Sequence, residues 1–331
     1  MNDEQKMISK VLDMSSKLEF YSDDKVAQLV HDLNTLGLHR VIEGAINKSD
    51  HETLDVLHHS GWVISSSHIG KCISQILQTE QGTSIDAIDN PRYQTFKYLL
   101  ETADSNVISS LENCYIKNIL TYKRVDLLDE LIEHGLFESN EISDRSPTVT
   151  EERIKIFIKE SSNAYLAIAL DKYPKEAYSA RRLTLNAACN GDSDTLNVIL
   201  QKLDIRDPEI INKAVSFSAQ YKPESIQLLL SRTTPVLIAN SIRKREIECP
   251  LMLALNSIND ADSCIAAASK LIDFGLKVQD IKMWPNLPEH SIDFIESINL
   301  NEIINQFIEC EFQVQSADAL DEPMNILQNS L

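Results

Sequence analysis

The sequence predicts an all-α fold, a solenoid of stacked helical hairpins with capping helices at both ends. Three observations carry this expectation. Apolar residues recur at three- and four-residue spacing along most of the chain, as in Val125-Asp126-Leu127-Leu128-Asp129-Glu130-Leu131-Ile132, and period-two alternation is scarce. The ten prolines fall mostly at breaks between such runs, so the helices are short and closely punctuated. Similar helix-pair segments also return at intervals of a few tens of residues, as stacked hairpins require.

The N-terminal element, residues 1–36, reads as one or two amphipathic helices with Val26, Leu29, Val30 and Leu33 on one face, and forms a cap. Residues 37–277 form the repeat array. Within it, Asp207-Pro208-Glu209 has the order of an N-cap, a proline at the first helical position and an early acid, and Thr148-Val149-Thr150-Glu151 fits a capping box. Residues 278–315 form an acidic C-terminal cap, with two acidic-faced helices between Pro288 and Phe312, because an open solenoid end needs a polar outer surface. Over residues 316–331 the apolar period has faded and a loose tail is expected.

One segment fixes the type of repeat. Ala187-Ala188-Cys189-Asn190-Gly191-Asp192-Ser193-Asp194-Thr195-Leu196-Asn197-Val198-Ile199-Leu200 resembles the ankyrin pattern A-A-x-x-G-H-x-E-V-V-x-L-L-L. Two alanines allow close packing of the first helix, glycine turns the chain, an acid caps the second helix, and the apolar positions form its buried stripe. Cys249-Pro250-Leu251-Met252-Leu253-Ala254-Leu255 is similar to the T-P-L-H-x-A-A opening. Leu131-Ile132-Glu133-His134-Gly135-Leu136 and Leu271-Ile272-Asp273-Phe274-Gly275-Leu276 are similar to the L-L-x-x-G-A ending. Alignment on that closing glycine gives counterparts at Gly61, Ala103, Gly135, Tyr173, Leu203, Thr233 and Gly275, about seven units with insertions near Gln81 to Pro91 and Ile258 to Ser263. The resemblance implies ankyrin-like repeats over about residues 37–277, stacked as a right-handed solenoid. With only 8 glycines in 331 residues, plain loops are expected at many joints instead of tight hairpins. A tetratricopeptide- or HEAT-like array of hairpins would give much the same apolar period.

Composition narrows the function. The net charge of −19 disfavours nucleic-acid phosphates and anionic lipid as general ligands. From Asn256 to Leu331 there are thirteen acids against Lys270, Lys277 and Lys282, a net of −10, so this end either faces a basic partner or is kept soluble by its charge. The longest apolar run, Ala164 to Leu170, falls far short of the ~18 residues that would span a bilayer, and no membrane insertion is expected. Met1-Asn2-Asp3-Glu4-Gln5-Lys6 has acids where a secretory signal would be basic and then apolar. A cytoplasmic location is therefore expected, in the producing cell or in a host cell reached by specialised secretion. Cys72, Cys114, Cys189, Cys249, Cys264 and Cys310 are scattered without a C-x-x-C pair and read as reduced thiols.

Nothing in the sequence assembles a reaction centre. His51, His58 and His59 beside Glu52 and Asp55 are the strongest metal candidate, yet the H-E-x-x-H spacing that sets two ligands on one helical face is absent. No phosphate-binding glycine loop or G-x-S-x-G occurs, Asn259-Asp260-Ala261-Asp262 lacks the glycine and closing Glu of a calcium loop, and no cofactor is expected. What the ankyrin resemblance implies is a binding surface built from loop tips and the exposed side of each first helix. Carried over residue by residue, it gives Arg181 and Arg182, then Arg243, Lys244 and Arg245, as loop-tip cations. It places Tyr122, Asn186, Asn190 and Tyr221, beside Asn118, Thr121, Ser216, Gln220, Asn256 and Ser257, on the inner row. The implied function is a non-enzymatic module, monomeric when alone, that holds a protein partner, as bacterial effectors and mobile-element proteins hold a host factor. The alternative is an acidic inhibitor or nucleic-acid-mimicking decoy that blocks a basic cleft of an enzyme, which salt would weaken far more steeply.

Overall fold

The computed structural model describes residues 3–15, 22–79, 90–138, 147–257, 259–276 and 288–298. Among these residues all regular structure is helical and no strand occurs. The expected second acidic-faced C-terminal helix, the C-terminal tail, Cys310 and most of the insertion that begins at Gln81 lie outside the described residues. The described residues divide after Leu183 into two compact units.

In the first unit, α1 (Asp3–Ser15) packs on α2 (Asp23–Leu36), whose Val26, Leu29 and Leu33 are buried as the apolar stripe requires. Helical pairs follow: α3 (Leu38–Lys48) with α4 (His51–His59), α5 (Ser66–Thr79) with α6 (Pro91–Thr102), the five-residue α7 (Ser105–Ser109), α8 (Asn113–Thr121) with α9 (Val125–Glu133), and α10 (Pro147–Lys159) with α11 (Asn163–Lys172). The first members touch in succession, α3 on α5, α5 on α8 and α8 on α10, and α6 touches α9 among the second members. Leu54, Ile73, Phe96, Leu127, Leu131 and Phe157 are fully buried between them.

The second unit begins within α12 (Ala180–Asn190), which leads into α13 (Ser193–Lys202). Next come α14 (Pro208–Tyr221), a 3-10 turn at Pro223–Ser225, α15 (Ile226–Leu230), α16 (Pro235–Arg243), α17 (Pro250–Leu255), α18 (Ala261–Asp273) and a helix over residues 289–298. Packing again joins like to like, with α14 against α17 and α15 against α18. Asp207 caps α14 by accepting from the Glu209 N–H at 2.9 Å, with Pro208 at the first helical position, as the sequence order predicts. Asp260, read as part of an incomplete calcium-like run, instead caps α18, accepting from the Ser263 N–H at 3.0 Å.

One backbone device ends eight of the described helices. After α3, the Ser49 N–H reaches the Ile46 carbonyl and the Asp50 N–H reaches that of Ala45, the paired bonds of a Schellman cap around a left-handed residue. The same pair of bonds recurs at Gly61, Lys123, Gly135, Ser161, Asp204, Arg245 and Gly275, every one with positive φ. At the aligned joints Ala103 and Tyr173 the helix runs out into extended backbone, the plain joint expected, whereas Ser49, Lys123, Ser161, Asp204 and Arg245 turn left-handed without being glycine. Side chains there accept the left-handed geometry, a cost of roughly 1 kcal/mol each, because the cap satisfies two otherwise orphaned carbonyls. The counterpart assigned to Leu203 is shifted by one, since Asp204 carries the positive φ. Gly191 departs the other way. Its φ is not left-handed, and it is glycine for room: a Cβ would lie 2.9 Å from Thr195 Cγ2 and 3.0 Å from the Ala187 carbonyl.

Two buried charges organise the first unit. Arg153 of α10, 2% exposed, donates from Nε to Asn113 Oδ1 (2.9 Å), from Nη1 to the Ser109 and Leu136 carbonyls (3.3 and 3.2 Å) and Tyr173 Oη (3.0 Å), and from Nη2 to the Leu111 carbonyl (2.6 Å). It meets the carbonyl-bearing ends of α7 and α9, where helix dipoles favour a cation. Glu151 does not close the capping box expected at Thr148, because α10 already begins at Pro147. Its carboxylate instead accepts from the Ser179 N–H (3.1 Å) and pairs with Lys155 and Arg182, both at 3.1 Å.

Candidate partner-binding cleft

In the second unit, α14 carries Lys213, Ser216, Phe217 and Gln220 at spacings of three, one and three, which places them on one stripe of the helix. Facing this stripe are Ile242 of α16, the segment Arg245 to Glu248, and Leu253 of α17. Together they enclose a cleft of about 540 Å³. Phe217, Ile242, Ile247 and Leu253 give it an apolar interior, and Lys213, Arg245, Glu246 and Glu248 supply charge at its walls.

The walls are held from beneath. Ser216 Oγ donates to the Glu248 carbonyl at 3.0 Å, fixing the segment that follows α16 against α14. Buried Asn212 donates to Ser241 Oγ (3.0 Å) and accepts from Thr233 Oγ1 (2.6 Å), which ties α16 to the same helix. The Schellman cap after α16 then turns the chain at Arg245, with Arg245 N–H to Ile242 O at 2.9 Å and Glu246 N–H to Ser241 O at 3.0 Å. Lys244 lies 3.8 Å from Glu246, whereas Lys213, Arg243 and Arg245 make no ion pair among the described residues.

Of the residues singled out in the sequence, Arg243, Lys244 and Arg245 are exposed at this turn, and Gln220 and Arg245 line the cleft itself. Tyr221, 40% exposed, closes α14 one residue beyond Gln220. Asn190 and Asn256 are exposed at the corresponding ends of α12 and α17. In the first unit Tyr122, 48% exposed, holds that position after α8. Ser216, expected on the open face, is buried as a strut, and Asn186 is only half-exposed, with its Oδ1 buried and lacking a hydrogen bond. Arg181 and Arg182 are not loop tips. They lie in the first turn of α12, where Arg182 pairs with Glu151.

The sequence reading missed Lys213, Phe217, Ile242, Ile247 and Leu253. The only signal was the mixed stripe on α14, beside a second, fully apolar one containing Ile211, Ala214 and Val215.

The histidines do other work. His51 Nε2 meets Thr95 Oγ1 at 2.6 Å and its ring stacks on Tyr98, while His59 Nδ1, at the end of α4, meets the Asp55 carbonyl at 2.9 Å. Among the described residues no group of three His, Cys, Asp or Glu is placed to hold a metal ion. Cys72, Cys114, Cys189 and Cys264 carry free thiols. Burial pushes Cys72 up to about 12 and Cys189 up to about 11, away from a reactive thiolate. No described helix is long and apolar enough to cross a membrane. Comparison of the chain with protein-family models, curated proteins and solved structures finds no match.

Proposed function

We propose that this chain is a non-enzymatic protein-interaction module, an ankyrin-like solenoid of helical hairpins that holds one protein partner. The carrying observation is the succession of helical hairpins, first helix against first helix within each unit, with α4, α9, α13 and α18 ended by one cap geometry and with tyrosine or asparagine exposed at four first-helix ends. Tyr122, Asn190, Tyr221 and Asn256 share that place in their own hairpins, and tyrosine offers a large, rigid contact at low entropic cost. Arg243, Lys244 and Arg245 add an exposed cationic turn to a chain of net charge −19, suited to an acidic patch on the partner. The chain acts in the cytoplasm, of its own cell or of a host.

Affinity capture from native lysate tests this reading. A protein retained by the full chain and lost on Arg243→Ala/Lys244→Ala/Arg245→Ala supports it. Capture that is the same for both chains, or of no protein at all, contradicts it. A salt series on the captured complex separates this module from an acidic decoy, whose binding would collapse with ionic strength.

A further inference from the structure

We infer that the cleft between α14 and the Arg245–Glu248 segment receives a short acidic peptide of the partner, inserting one large apolar side chain between carboxylates. This rests on the interaction-module reading and names the chemistry of its contact.

Volume comes first. About 540 Å³ lies within the range of pockets that bury a ligand, and exceeds what a few ordered waters need. The interior suits an aromatic or leucine side chain, since Phe217, Ile242, Ile247 and Leu253 present carbon to it. The pocket is also preformed. Ser216 holds the Glu248 carbonyl, and the Asn212–Ser241 bond holds α16, so binding need not order the wall.

Charge selects the occupant. Lys213 and Arg245 line the cleft, Arg243 and Lys244 stand beside it, and Glu246 lies next to Lys244. In the lining Lys213 and Arg245 match Glu246 and Glu248, and Arg243 and Lys244 on the adjoining exposed turn tip the balance, so the rim of the cleft is positive on a strongly acidic chain. A basic segment would be repelled here and attracted elsewhere, whereas an acidic one is drawn to this cleft. Arg245 is left-handed, where glycine or asparagine fits best, yet the position carries a guanidinium able to grip a carboxylate with two parallel bonds.

The test is selection of a phage-displayed random dodecapeptide library on the full-length protein, with counter-selection on Lys213→Gln/Arg245→Asn. Asparagine tolerates the left-handed turn and glutamine keeps the helix, and a thermal melt confirms that the variant folds. The expected result is a set of peptides pairing Phe, Tyr, Trp or Leu with neighbouring Asp or Glu, each binding the variant at least tenfold more weakly. Peptides that bind both proteins alike, that are basic, or that fail to appear overturn the inference. Capturing a partner equally with this variant and the wild-type chain also overturns it, while leaving the module reading in place. That reading fails separately, when the lysate yields no partner whose capture depends on the Arg243–Arg245 turn.

Discussion

Replacing Arg153 by methionine keeps most of the side-chain volume in α10 and deletes every hydrogen bond it donates. The wild-type guanidinium serves three backbone carbonyls, Ser109, Leu111 and Leu136, together with Asn113 Oδ1 and Tyr173 Oη. It makes no ion pair among the described residues, so its charge is balanced by carbonyl dipoles. Each buried carbonyl left without a donor costs roughly 1–3 kcal/mol. Three of them therefore cost about 3 kcal/mol at the low end, and relief of the arginine's own desolvation offsets part of anything above that. The expected loss is about 3–4 kcal/mol, a large share of a domain's stability. Lysine retains the charge but has three donors on one atom for five acceptors, so Arg153→Lys should lose about 2 kcal/mol. Urea unfolding at neutral pH followed by circular dichroism gives the global loss. Amide exchange over residues 105–138 locates it, because α7 and α9 lose their shared anchor. A loss under 1 kcal/mol for the methionine variant, with unchanged exchange in that stretch, would refute the argument that this arginine joins the helix ends.

Three further outcomes follow from the same geometry. Ala188 is fully buried, so Ala188→Asp places an unpaired carboxylate in the core and should cost about 3 kcal/mol or more, read as a lowered melting temperature. His68 Nδ1 accepts from the Ser65 N–H at 3.0 Å, and burial, reinforced by His39 and Lys71 against Glu43, lowers its pKa. The unfolded chain then takes up the proton first, so stability is full above about pH 6.5 and is lost as pH falls from there through the lower folded value. His68→Gln keeps an acceptor for Ser65 and should flatten that part of the pH–stability profile, and an unaltered slope would exclude this histidine as its source. Lys123 is left-handed without being glycine, so Lys123→Gly should raise stability by up to about 1 kcal/mol in urea unfolding.

The sequence spoke clearly where side chains carry the pattern. Leu127, Leu128 and Leu131 are fully buried at their periodic spacing, Asp207-Pro208-Glu209 opens α14, and Gly61, Gly135 and Gly275 are left-handed helix ends. It was silent where backbone hydrogen bonds set the geometry. Ser49, Lys123, Ser161, Asp204 and Arg245 turn the chain as glycines do, and no propensity marks them. The best-matched glycine, Gly191, answers to the proximity of Thr195 and the Ala187 carbonyl rather than to a turn. Arg153 reads as an ordinary surface charge in a helix rich in charged residues, because its acceptors come from segments far away in sequence. The cleft shared this difficulty. Gln220 and the Arg243–Arg245 turn were legible, but Phe217 and Lys213 gained meaning only when the residues after α16 folded back against α14.

The central claim is that the exposed surface of this chain exists to hold a protein. Isothermal calorimetry of the captured partner against the wild-type chain and against Arg243→Ala/Lys244→Ala/Arg245→Ala tests it most directly. These side chains are exposed and contribute little to folding, so the variant should melt with the wild type. Its affinity should nevertheless fall at least tenfold, about 1.4 kcal/mol, chiefly through faster dissociation. Equal affinities for the two chains would contradict the account.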